Sequence, residues 1–176
     1  MKKHFNYFRM MKKQTVFFPL FLIIYHIFCW GCANTPPPEP AEPQDLIIRQ
    51  ISDIPGFSKS ELYEGAKKWV AGSFSDDLDV IRYSDRYKGI IVGQTYIYHV
   101  RPSKWTSDHV FECRFEIIVE VKDEKIRTTF KDLWLFHRGG TEPMLKSDME
   151  VIRPKLENAV TALVSSYKRM NGDENW

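Results

Sequence analysis

The stretch HVFECRFEIIVEV, residues 109–121, alternates apolar and polar side chains along its length. A strand has a side-chain period of two. Phe111, Cys113, Phe115, Ile117, Val119 and Val121 therefore fall on one face, and Glu112, Arg114, Glu116 and Glu120 on the other. A strand of this kind belongs to an antiparallel sheet with one dry and one wet face. Something else in the chain must then cover the dry face.

Two amphipathic helices are available to do so. GFSKSELYEGAKKWVAGSF (56–74) has Ser58 as N-cap and Glu61 three residues on, a capping box that satisfies orphan backbone donors of the first turn. Phe57 and Leu62 stand at the positions of a hydrophobic staple, and Leu62, Ala66, Trp69 and Val70 share one helical face. RPKLENAVTALVSSYKRMNG (153–172) repeats the pattern with Leu156, Val160, Leu163, Val164 and Tyr167. Pro154 suits its first turn and Asn171–Gly172 its stop. Strands are expected at 45–54, at two runs within 78–100 around a turn at 84–89, at 109–121, and at 126–136 after KDEK. The order strand–helix–four strands–helix predicts an α+β fold, an antiparallel sheet with both helices on one face.

The N-terminus reads as an address. Residues 1–31 hold Lys2, Lys3, Arg9, Lys12 and Lys13 and no acid, followed by the apolar run TVFFPLFLIIYHIF. This is the pattern of a secretory signal, and Pro19 and His26 interrupt it too much for a good span of ~20 apolar residues. MKKQTVFF at Met11 would itself serve as a charged start. Gly31 before Cys32 resembles the lipobox of bacterial lipoprotein precursors, in which the cysteine thiol takes a lipid and the chain is cut just before it. The resemblance implies lipid attachment, a palmitate-type anchor, at Cys32 and a protein held in the bacterial cell envelope, on the periplasmic face of the outer membrane. The expected divisions are a signal at 1–31, a proline-rich linker at 32–44, one domain at 45–172 and a tail at 173–176. NTPPPEPAEP favours extended polyproline II, which at ~3.1 Å per residue reaches roughly 30 Å.

Cleavage changes the charge balance. The precursor carries 25 basic and 23 acidic residues; loss of the five basic residues of the signal leaves a net charge of −3. A slightly acidic domain lacks the electrostatic footprint of a nucleic-acid binder. With Cys32 acylated only Cys113 remains, so no disulfide framework is expected.

No catalytic or metal constellation emerges, and no cofactor is expected. His109 and Cys113 are four apart, which on a strand separates them by ~13 Å, too far to share one ion. Neither G-x-S-x-G nor a P-loop is present. Cys113 lies on the apolar face of its strand, where a thiol is packing material.

FSKSELYEGAKKWV, DVIRYSDRYKGIIVGQTYIY and FEIIVEVKDEKIRTTFKDL together resemble a bacterial envelope family of unknown function with a TATA-binding-protein-like (TBP-like) fold. Leu62, Tyr63 and Trp69 of the helix carry the likeness, with Ile81, Asp85, Ile91, Val92 and Gly93 of the following strands. It covers about residues 46–136. It implies the fold and a secreted, often lipid-anchored setting, and it supplies no activity.

The candidate working surface is the sheet face opposite the helices. Glu112, Arg114, Glu116, Arg127, Thr129 and Lys131 are expected to project there beside tyrosines of the third strand, a mixture of charge and aromatics suited to a partner. Trp105, in the polar loop RPSKWTSDH, is a candidate anchor. The expected partners are the membrane, through the N-terminal lipid, and an envelope component, with no nucleic acid. The alternative is a periplasmic hydrolase with a cleft near His137, beside HRGGT.

Overall fold

Alternation in the sequence becomes a six-stranded antiparallel sheet in the computed structural model, which describes residues 37–74, 80–102 and 108–173. The elements run β1 (Ile48–Asp53), α1 (Lys59–Gly72), β2 (Ile81–Asp85), β3 (Ile90–Arg101), β4 (His109–Lys122), β5 (Lys125–His137), β6 (Gly140–Glu142) and α2 (Lys146–Asp173). The strand order is β1-β5-β4-β3-β2, and β6 pairs with the far end of β5. A tight turn at Arg138–Gly139, with Gly139 at φ 84°, leads from β5 into the short β6.

Both helices lie over the dry face. All six apolar positions on the inward face of β4 are buried, and Leu62, Ala66 and Val70 of α1 and Ile152, Leu156, Val160, Leu163 and Tyr167 of α2 share their core. Two glycines permit the close approach. A Cβ at Gly65 would sit 2.3 Å from the Tyr167 hydroxyl, and one at Gly93 would sit 3.0 Å from Val70 Cγ1. Because Gly65 has no side chain, the Tyr167 ring fits between the helices and its hydroxyl donates to the Leu62 carbonyl at 2.7 Å. The capping box at the start of α1 forms as the spacing predicts: Ser58 N–H donates to Glu61 Oε2 at 2.8 Å, and the Ser58 side chain accepts from the Glu61 N–H. Trp69 is half-buried rather than fully core, its ring edge-on to Phe74 with centroids 5.3 Å apart.

Three details depart from expectation. Helix α2 begins at Lys146, not Arg153, so Pro154 lies inside the helix and not in its first turn. Asp148 explains the earlier start, because its Oδ2 accepts the Leu145 N–H at 2.8 Å and ties off the N-terminus. Pro154 is exposed, and its ring forgoes the hydrogen bond to the Glu150 carbonyl on the solvent side. Secondly, residues ahead of Asp45 also make backbone hydrogen bonds to the domain. The Ala41 N–H donates to the Met144 carbonyl at 2.8 Å and the Lys146 N–H to the Glu39 carbonyl at 3.0 Å, pinning the last linker residues to the start of α2. Thirdly, β5 contains a bulge. Glu116 pairs with Lys131 and Arg114 with Trp134, so one extra residue stands in β5. Asp132, at φ 54°, occupies the bulge, and the strand's inward positions switch from Ile126, Thr128 and Phe130 to Leu133 and Leu135.

Candidate functional site

The face left open by the helices is set by register. Across β5, β4 and β3 it presents Arg127–Glu120–Ile90, Thr129–Ile118–Val92, Lys131–Glu116–Gln94, Trp134–Arg114–Tyr96 and Phe136–Glu112–Tyr98. Arg114, Glu116, Arg127 and Lys131 all lie on this face, as expected. Thr129 does too, yet it is buried between its register neighbours Arg49 and Ile118.

These charges are matched within the sheet. Lys131 Nζ lies 2.8 Å from Glu116 Oε1, and Arg114 Nη2 lies 2.7 Å from Glu112 Oε2. Arg127 makes a two-pronged pair with Glu120, its Nε donating at 2.6 Å. The hydrogen bonds from Arg127 hold the Glu120 carboxyl below its ordinary range against the opposing pull of burial, with the charges of Arg127, Arg49 and Lys122 adding to the effect. Exposed pairs of this type contribute little to stability. They give the middle of the face a neutral, ordered lattice.

The two ends differ. At the β6 end the face is aromatic. Tyr96 and Tyr98 pack edge to face at 5.4 Å, and Trp134 and Phe136 at 6.2 Å. The Arg114 guanidinium sits between the two pairs, 4.4 Å from the Phe136 ring centre and 5.6 Å from that of Trp134. Tyr98 is 61% exposed, and exposed Val100 and Val110 continue the apolar strip. The tyrosines were legible in the third strand; Trp134 and Phe136 were not, because only the Asp132 bulge turns them outward. The signal was present in TTFKDLWLF, where the apolar positions change from even to odd across Lys131–Asp132.

The other sequence candidates fall elsewhere. Trp105 and Cys32 lie outside the described residues. His137 donates from Nδ1 to the Val110 carbonyl at 2.8 Å and packs at a tilt against Phe111 with ring centres 4.9 Å apart. Its hydrogen bond and packing hold the ring against β4. Cys113 is fully buried, and burial, with the nearby Asp148 charge, pushes its thiol up to about 12.

One polar cluster escaped sequence reasoning altogether. Asp148 at the start of α2 accepts from His99 Nε2 at 2.9 Å and from Arg101 Nε at 2.8 Å, and both His99 and Asp148 are 2% exposed. Burial opposes the Asp148 charge, but Arg101, the Leu145 N–H and His99 more than offset it and hold its pKa below the ordinary value. The cluster clamps α2 to β3. Among the described residues no three His, Cys, Asp or Glu side chains converge as a metal site would require.

The comparisons with known proteins agree with this architecture. A crystal structure of a DUF4468 family protein from Bacteroides ovatus is similar over 74% of this chain and 85% of that one, with 18% identity and a TM-score of 0.51. A TBP-like protein from Parabacteroides distasonis is similar over 69% of this chain and 92% of that one, with 12% identity and a TM-score of 0.56. No curated protein matches the chain. The model of the family described as a domain of unknown function with TBP-like fold matches residues 49–135, the span from β1 to β5 that builds the open face. Residues 49–135 of the chain thus match the DUF4468 family.

Proposed function

We propose that this is a lipid-anchored protein of the bacterial cell envelope, tethered at Cys32 on the periplasmic side, whose domain binds another envelope component through the aromatic end of its open sheet face. The observation that carries the binding role is the Tyr96, Tyr98, Trp134 and Phe136 cluster around Arg114. Aromatics and arginine are the residue types that dominate binding hot spots. Here they stand on a rigid sheet, already ordered, so little conformational freedom is lost on association. The tether rests on the run of basic and apolar residues ending at Gly31–Cys32. The paired charges along the middle of the face do not form the basic stripe that a nucleic-acid backbone requires.

Crosslinking in the native envelope followed by mass spectrometry tests the reading. Tyr98→Ser with Trp134→Ser should remove the adducts formed by the wild-type protein while leaving the domain folded, since both side chains lie on the open face. Adducts that survive the double change would remove this face from consideration. Fatty-acid labelling should mark the wild type and not Cys32→Ala; equal labelling would refute the tether.

A further inference from the structure

The opposite end of the open face, about 20 Å along β4 from the aromatic cluster, holds a depression of about 210 Å³. That is below the ~300 Å³ at which drug-sized sites begin, so it suits one chemical group with a short stem. Lys88, Lys122, Lys125 and Arg127 line it against a single acid, Glu120, and Ile51 and Ile90 line it as well. Ile51 is 63% exposed, an unusual place for a large aliphatic side chain beside four cations.

Charge is sorted at this end. The β4–β5 turn reads Lys122–Asp123–Glu124–Lys125, balanced in composition. Its two acids are drawn away to the start of α1: Asp123 Oδ1 accepts the Lys59 N–H at 2.8 Å and Glu124 Oε1 the Gly56 N–H at 3.1 Å. The two lysines are left lining the depression. Lys125 pairs with Asp53 at 3.2 Å and Lys88 with Asp85 at 3.7 Å, both lysines being largely exposed, and such surface pairs yield to a stronger anion at little cost. Glu120 is committed to Arg127.

We propose that this depression binds a phosphate monoester, its dianion held by Lys88, Lys122 and Lys125 and its apolar stem lying on Ile51 and Ile90. Lysine ammonium groups are compact point charges with rotatable donors and suit a terminal phosphate. The aliphatic pair selects esters over free phosphate. This site shares no residue with the aromatic cluster and stands or falls independently of it.

The test is calorimetric titration of the full chain in a nonionic detergent. The probes are phenyl phosphate, inorganic phosphate, phenol and short-chain phosphatidic acid below its micellar concentration. Phenyl phosphate should bind saturably, at least tenfold more tightly than inorganic phosphate, and phenol should not bind. Lys122→Gln with Lys125→Gln should weaken phenyl phosphate binding tenfold or more, Ile51→Ser several-fold, and Tyr98→Ser not at all. Phosphatidic acid binding that the lysine changes abolish would support the site with a lipid source. Phenyl phosphate binding alone would support it with a soluble source. No saturable binding of either ester, or binding indifferent to the lysine changes in a protein with an unaltered melting curve, would overturn the proposal.

Discussion

Asp148 concentrates the consequences of a single residue. Its carboxylate is buried, faces Arg101 and His99, and accepts the Leu145 N–H that opens α2. Asp148→Asn would leave Arg101 without its main counter-charge and weaken the helix start together, a loss of about 3–5 kcal/mol. The pH dependence follows from the direction of its shift. The folded-state pKa is lowered, so the stabilisation is present above the unfolded value near ~4 and is lost as pH falls through the folded value. Urea melts from pH 7 downward should therefore show the gap between wild type and Asp148→Asn closing below about pH 4. A gap that stays constant to pH 2 would mean that the charge of Asp148 contributes nothing. None of this was legible in the sequence. His99 and Asp148 are 49 positions apart, and no spacing rule connects a strand histidine with an aspartate in the first turn of a proline-containing helix.

At the scale of elements, the sequence was most informative where one period held without interruption. The β4 alternation and the Ser58–Glu61 capping box each predict local geometry from a few adjacent residues, and both form as read. Reading failed where the period changed. The shift at Lys131–Asp132 marks a bulge, and without it Trp134 and Phe136 would be assigned to the core. Likewise Pro154 looked like a helix start because proline is favoured there, whereas Asp148 supplies the true N-terminus. The bulge makes a prediction of its own. Asp132 has φ 54°, which costs most residues about 1 kcal/mol or more but glycine almost nothing. Asp132→Gly should leave the urea midpoint unchanged or raised, and Asp132→Val should lower it. The reverse order would mean that Asp132 is not the bulged residue.

Across the whole molecule, the sheet divides the labour. One face is sealed by α1 and α2 into a core running from Ile48 to Tyr167. The other carries aromatic and basic ends joined by a lattice of matched charges. The pinned residues Glu39–Ala41 bring the chain into the domain beside the start of α2. Alternation anticipated the sheet and its wet face; it did not anticipate that the wet face would separate into two chemically distinct ends, because that depends on cross-strand register and on where the turn acids are drawn. The central claim is that the aromatic end is the surface the protein works with. A photo-crosslinking amino acid placed at Tyr98 tests it most directly, with Glu157 on α2 as the control position, in cells carrying the full chain. The account predicts a discrete, light-dependent adduct from Tyr98, none from Glu157, and loss of the Tyr98 adduct on Trp134→Ser. No adduct at Tyr98, or equal adducts at both positions, would contradict it.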